Sequence, residues 1–256
     1  MPGGPRASGT ARVLAILGCF GIDRPTLTLS EIGRLADIPL TTAHRQVAEL
    51  RRWGALERDE DGRYRIGLRL WEVGSLAPRS IGLREAALPF LEDLYEATHE
   101  NILIAVLDVP DVIYVERISG SRAVHAVSRP GSRLPAHATA VGLVLLAHAA
   151  PVEVEAVLAR PLKRLTEHTV TDPGRVRRSL AEVRRAGYAI SVRQVELVSA
   201  SVAAPVYGAG NIVVAGLSIV VPARGLQARR YVPAVLAAAR GISRSLSVSR
   251  DRGGRG

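Results

Sequence analysis

From Thr10 onward, apolar residues at Val13, Leu14, Ile16, Leu17 and Phe20 recur at helical spacing, which predicts a first helix capped by Thr10 and ending near Gly21. The segment DRPTLTLS interrupts the pattern and reads as a loop with a short extended piece. Ser30 is expected to cap SEIGRLADI, where Ile32, Leu35 and Ala36 form an apolar stripe and Glu31 suits the positive end of the helix dipole. After the turn DIPL a third helix follows. Projected at about 100° per residue, its Ala43, Val47 and Leu50 fall on one narrow face. Thr41, Arg45, Ala48 and Arg52 lie roughly opposite, with Thr42, His44 and Glu49 on the flanks. A core has no use for that polar face. Two short helices joined by a tight turn, the second with a polar first turn, have the form of a helix-turn-helix whose second helix enters the DNA major groove.

The next residues extend this reading. ALER and RYRIG alternate in character as strands do, and the DEDG between them ends in Asp-Gly, a strong hairpin signal. Such a hairpin would be a wing, with Arg58, Arg63 and Arg65 on or beside it in reach of phosphate or the adjacent minor groove.

Beyond Trp71 the pattern changes. Residues 71–80 read as a connecting helix broken near Pro78, and Leu83 to Thr98 as a second helix. NILIAVLDVPDVIYVERI holds two apolar runs about a Pro-Asp turn, and RAVHAVSRPGSRLP adds another strand and turn. HATAVGLVLLAHA and GRVRRSLAEVRRAG read as helices, with the strand YAISV after the second. SVAAPVY and NIVVAGLSIVV flank GAGN as a hairpin, and Leu226 to Leu246 close with a helix. Sequential antiparallel strands with flanking helices make an α+β domain. The expected organisation is a disordered N-terminus (1–9), a winged helix-turn-helix domain (10–70), a linker helix (71–83), a second domain (84–248) and a disordered tail (249–256).

Composition narrows the function classes. Apolar residues make up 47% of the 256, yet no apolar run approaches a membrane span, so a soluble protein is expected. The N-terminus lacks a basic-then-apolar signal pattern and the single Cys19 cannot form an intrachain disulfide, which fits a reducing cytoplasm. The net charge of +10 suggests an anionic partner such as nucleic acid. However, residues 1–75 hold 11 arginines against nine acids, so the excess lies mostly further along and charge does not locate the site. No CxxC or HExxH spacing, GxSxG elbow or obvious carboxylate pair occurs; no metal or cofactor is implied, and an enzyme is the least favoured reading. The G-A-G at Gly208–Gly210 sits between two strands rather than before a helix, so a hairpin turn explains it better than a phosphate loop.

The chain resembles the IclR family of bacterial transcription regulators over nearly its whole length. The resemblance is carried by RVLAIL, LTLSEIGRLADIPLTTAHRQVAELRRWG and DGRYRIGLRLWEVG, and then by LPAHATAVGLVLLAH, TVTDP, RRAGYAI and SVAAPV. It implies an N-terminal winged helix-turn-helix, a linker helix and a C-terminal GAF-like or profilin-like α+β effector-binding domain, assembled as dimers or tetramers on a palindromic double-stranded operator. It also implies that a small carboxylate, an organic or aromatic acid, is held by backbone amides at a helix start, here those of Ala140 and Val141, as suits an anion at a helix N-terminus. Ser191, Ser201 and Ser218 match side chains that complete the family's pocket. An acidic residue is common where Ser191 stands, the usual glutamate is replaced near Gln194, Val198 stands in place of a glycine, and Glu196 is kept. These departures imply a different ligand, less polar or aromatic, or a pocket that binds nothing, which would leave an architectural DNA-binding protein.

Each candidate has a plainer alternative. Thr41, Thr42, His44 and Arg45 form either a DNA-contacting face or a solvated one, and which would read a base and which a phosphate stays open. The wing arginines are either phosphate contacts or solubilising charge. Arg175, Arg177, Arg178, Arg184 and Arg185 spread around their helix and read as a solvated face. His137 either hydrogen-bonds a ligand or caps its helix, and Cys19 reads as a core residue rather than a redox sensor.

Overall fold

The computed structural model describes residues 8–253 apart from 22, 77, 121, 122, 124–127 and 224. The chain divides into two compact units, one through Ile81 and one from Gly82.

The first unit opens with α1 (Gly9–Leu17), whose N-cap is Ser8 rather than Thr10: the Ser8 hydroxyl accepts from the Ala11 amide at 3.1 Å, and the helix closes at Gly18. After β1 (Thr26–Leu27), α2 (Leu29–Leu35) is capped by Thr28, not Ser30. Thr28 and Glu31 form a capping box, in which the Glu31 amide donates to the Thr28 hydroxyl and the Thr28 amide donates to Glu31 Oε2 at 2.7 Å. α3 (Leu40–Trp53) buries Ala43, Val47 and Leu50 as its periodicity requires, and ends at Gly54 with φ of 87°. β2 (Leu56–Arg58) and β3 (Tyr64–Ile66) form the expected hairpin, with Gly62 supplying the left-handed turn residue. β1 joins them to give an antiparallel sheet in the order β1-β3-β2. Ile16, Cys19, Leu27, Ile32, Val47, Leu50, Leu56 and Tyr64 form its core, and burial there pushes the Cys19 thiol above its ordinary pKa.

The connecting helix begins earlier than its pattern suggests and breaks before Pro78: α4 runs Leu68–Ser75 and α5 Pro78–Thr98. Proline opens a helix without loss because its first-turn N–H would have no intrahelical partner.

The second unit is built on six antiparallel strands, β4 (Asn101–Asp108), β5 (Asp111–Ile118), β6 (Arg133–Pro135), β7 (Ala189–Val192), β8 (Ser199–Tyr207) and β9 (Val213–Pro222), in the order β6-β5-β4-β9-β8-β7. The strand expected over RAVHAV falls mostly on residues outside those described. Between β6 and β7 lie a 3-10 turn (Ala136–Ala138), α6 (Ala140–Ala147), α7 (Pro151–Leu158), which the sequence pattern did not mark, and α8 (Pro173–Ala186). α9 (Val232–Gly253) closes the chain and extends past Ser249, where order was expected to end.

Both faces of this sheet are covered, which is why its strands read as near-continuous apolar runs. Ile102, Ile104, Val202, Ala204, Leu217 and Ile219 point to a core shared with Leu83, Ala87 and Leu91 of α5 and Val235, Ala239 and Ile242 of α9. Leu103, Ala105, Ala189 and Ala203 point the other way, to a core shared with α6, Val157 and Leu158 of α7, and Val176, Leu180 and Val183 of α8. Two glycines set how closely this second layer packs. A Cβ on Gly142 of α6 would lie 2.1 Å from the Ala136 carbonyl oxygen, and one on Gly216 of β9 would lie 2.5 Å from Val141 Cγ2.

Candidate nucleic-acid face and ligand cavity

The buried stripe of α3 leaves its polar residues outward. Thr41, His44 and Arg45 are exposed and Thr42 is half-buried, and the four side chains form no hydrogen bond or ion pair among the described residues. Arg52, further along the helix, pairs with Glu49.

The hairpin arginines are placed differently. Arg63 donates to Glu31 Oε2 at 3.1 Å, to the Thr26 hydroxyl and to the Thr26 carbonyl, both at 3.2 Å. It therefore ties β3 to β1 and to the cap of α2. Arg65 donates twice to Glu57 Oε2, at 3.0 and 2.9 Å, while Glu57 Oε1 accepts from the Leu68 amide at the start of α4. Arg58 donates to the Gly62 carbonyl at 3.0 Å and lies over the Tyr64 ring. All three arginines brace the hairpin and its surroundings. Both carboxylates sit below the ordinary glutamate pKa: Glu31 through the Thr28 amide first, then the Thr28 hydroxyl and Arg63, and Glu57 through the Leu68 amide first, then Arg65.

In the second unit the strand register assembles the other set of candidates. Ser191 of β7 stands opposite Ser201 of β8, and Ser201 opposite Val220 of β9; one step along, Ala203 stands opposite Ser218. Directly opposed residues share a face, and residues two apart repeat it. The three serines therefore lie on the α6 side of the sheet, where apolar residues would otherwise be expected. They line a cavity of about 420 Å³, its open mouth included, together with Ala140 and Val141.

α6 begins at this cavity. Thr139 caps it, its hydroxyl accepting from the Gly142 amide at 3.0 Å, while the Leu143 amide donates to the Thr139 carbonyl. The Ala140 and Val141 amides have no acceptor among the described residues, and both residues line the cavity at the positive end of the helix dipole. Ser191 donates to the Ala138 carbonyl at 3.0 Å, whereas the Ser201 and Ser218 hydroxyls make no hydrogen bond among the described residues. Tyr114, Ser128 and Leu134 form another part of the lining, and Arg193, Gln194 and Glu196 a third. Burial pushes the Tyr114 phenol up to about 12, against a hydrogen bond with Ser128. Gln194 is held in place by the Val170 amide on its Oε1 and by the Thr169 hydroxyl on its carbonyl.

His137 is buried but does not line this cavity; its Nε2 lies 3.1 Å from the Lys163 carbonyl. Burial lowers its pKa, so the ring is neutral at neutral pH and supports the Lys163 loop. Pattern reading did not single out Tyr114, Thr139 or Arg193. Thr139 carries a usable signal, a hydroxyl residue immediately before an apolar helical run. Among the described residues no group of three or more His, Cys, Asp or Glu is placed to hold a metal ion, and no helix is long and apolar enough to cross a membrane.

A helix-turn-helix with an outward polar helix, followed in the same chain by an α+β unit with a polar-lined cavity, has the form of a ligand-responsive DNA-binding regulator. Residues 9–60 match the IclR helix-turn-helix domain and residues 76–247 match the family described as bacterial transcriptional regulator IclR C-terminal. This chain belongs to the IclR family of transcriptional regulators. It is 32% identical to the HTH-type transcriptional regulator KipR of Bacillus subtilis, over 80% of this chain and 82% of that protein. It is 31% identical to the HTH-type transcriptional regulator BhcR of Paracoccus denitrificans, over 95% and 89%. Among solved structures, an IclR homolog from Microbacterium hydrocarbonoxydans complexed with 4-hydroxybenzoate superposes with a TM-score of 0.88 at 41% identity, covering 93% of this chain and 99% of that one.

Proposed function

We propose that this regulator binds a palindromic operator in the cytoplasm as a homodimer or homotetramer, and that a small aromatic carboxylate in the C-terminal cavity modulates the binding. The unit holding the cavity is read as a GAF-like or profilin-like sensor domain. The observation that carries the ligand reading is the pair of Ala140 and Val141 amides at a cavity lined by the Ser201 and Ser218 hydroxyls. Two convergent N–H donors on a helix dipole suit a carboxylate, and the hydroxyls suit a polar substituent on the ring. The 4-hydroxybenzoate bound by the Microbacterium homolog is a molecule of that kind and the first to try.

On the DNA side, Thr41, Thr42, His44 and Arg45 enter the major groove, and two copies of α3 address half-sites about one helical turn apart or a multiple of it. Arg52 and the hairpin arginines contribute at most secondary phosphate contacts, because their guanidinium groups already have partners. Self-association is supported by the apolar residues of α4, where Leu68, Trp71 and Val73 are exposed. A ligand that prefers one oligomer geometry shifts operator affinity by its differential affinity, typically about 1–3 kcal/mol.

The test is calorimetric titration of the full chain with 4-hydroxybenzoate, followed by operator titration with and without it. Saturable binding and a change in operator affinity of roughly 5- to 150-fold are expected. Ser201→Phe should abolish the response and leave ligand-free operator binding near that of the unsubstituted chain. An unchanged response in that variant rejects the cavity as the site.

A further inference from the structure

The cavity and α3 leave two features without a role: the arginine excess beyond residue 75, and the Gly-Ala-Gly stretch at Gly208–Gly210. The structure brings the two together. The stretch is indeed a hairpin turn between β8 and β9, with Gly208 N–H donating to the Ile212 carbonyl at 2.8 Å. Gly210 and Asn211 both take left-handed backbone conformations, with φ of 69° and 58°. The turn borders a second, wider cleft, whose other side is α9 with Arg240, Ser243, Arg244 and Ser247.

Arg240 and Arg244 are four residues apart and therefore neighbours on one helix face. Both are exposed, and neither is paired with a carboxylate among the described residues. Like charges at this spacing destabilise a helix. Here no protein carboxylate offsets that cost, whereas Arg65, Arg84, Arg133 and Arg177 each have one. The Ser243 hydroxyl is committed to bracing the cleft: it accepts from the Tyr207 amide at 2.9 Å and donates to the Ala239 carbonyl at 2.7 Å, fixing α9 against the base of the turn. The amides of Ala209 and Gly210 make no hydrogen bond among the described residues. The cleft is thus lined on one side by Arg240 and Arg244 and on the other by a turn that includes Ala209, Gly210 and Asn211, and none of its lining residues is acidic.

We infer that this cleft binds a phosphate monoester, separately from the carboxylate cavity and independently of the function proposed for it. Two planar forks match the several oxygens of a doubly charged phosphate better than the single charge of a monocarboxylate. Successive turn amides are a common complement to such an ion.

The experiment compares the melting temperature of the full chain in inorganic phosphate and in chloride at equal ionic strength, alongside the R240Q/R244Q variant. Both positions are exposed and glutamine keeps helix propensity, so the variant should fold and melt no lower than the unsubstituted chain in chloride. A phosphate-specific rise of about 3 °C at ten times the dissociation constant is expected. It should be absent in R240Q/R244Q, partly retained in R240K/R244K and unaffected by Ser201→Phe. An equal rise in R240Q/R244Q would mean that phosphate acts by general exclusion from the surface, and would overturn the site. A rise with succinate but not phosphate would overturn the ester assignment in favour of a dicarboxylate. Loss of non-specific DNA affinity in R240Q/R244Q would assign the cleft to the duplex backbone and overturn it as well.

Discussion

The N-terminal turn of α3 and the serine-lined cavity are both polar sites, but they hold their polarity in opposite ways. On α3 the side chains of Thr41, His44 and Arg45 are solvated and make no bond within the chain, so the fold gains nothing from their identity. In the cavity, Ser191 and Ser218 are themselves buried, beside a helix packed so tightly that two glycines are required. Substitutions at the first site should change binding and leave stability alone. At the second, binding and folding are coupled. The hairpin arginines are the instructive intermediate: they look like the α3 residues in sequence and behave like structural ones.

The largest effect should come from Gly142→Ala. Its new Cβ would meet the Ala136 carbonyl, which cannot withdraw without moving the 3-10 turn, so a loss of about 3 kcal/mol, the upper end of overpacking costs, is expected in denaturant unfolding of the second unit. A loss under about 1 kcal/mol would mean that the layer is loosely packed and the contrast with α3 is wrong. Next is Arg45→Ala. Operator affinity should fall about 10- to 100-fold with relaxed preference at one base pair, matching the roughly 1–3 kcal/mol of a bidentate base contact, and the melting temperature should stay within a degree. A uniform loss on all DNA sequences would make Arg45 a phosphate contact instead.

Arg63→Ala should do the reverse, destabilising the first unit by about 1 kcal/mol, a modest figure because the Glu31 pair is partly exposed. Operator affinity of the folded variant should remain nearly unchanged; a large loss at full stability would return Arg63 to the DNA-contacting set. The smallest effect is in acid. Because the folded chain holds the Glu31 carboxyl below its unfolded value, the stabilisation is complete at neutral pH and is lost as pH falls below the ordinary glutamate range and through the folded value. Glu31→Gln should flatten that part of the stability profile of the first unit. Superimposable profiles would show that the Thr28 and Arg63 contacts do not persist in solution.

These contrasts also mark what the sequence makes legible. The buried stripe Ala43-Val47-Leu50 and the Asp61-Gly62 turn depend on neighbours within a few residues, and both are readable from pattern. Even locally, competing signals mislead: TLTLS offers both Thr28 and Ser30 as caps, and only the Glu three residues after Thr28 decides between them. The pairing of Arg63 with Glu31 spans 32 residues, so nothing local separates it from a phosphate-binding arginine. Ser191, Ser201 and Ser218 become neighbours only through a strand register fixed by backbone hydrogen bonds, which is why family resemblance nominated them and periodicity did not. His137 adjoins the Ala140 and Val141 segment in sequence, yet its ring turns to the Lys163 carbonyl instead.

The alternation along β9 has a mechanical corollary. Ser218 belongs to the cavity, while its neighbours Leu217 and Ile219 belong to the core that seats α5 and α9. Consecutive residues of an extended strand share one rigid backbone, so the partition between these two compartments is a single chain thick. Whatever presses on Ser218 from one side presses Leu217 and Ile219 into the other, with no intervening layer to absorb the stroke.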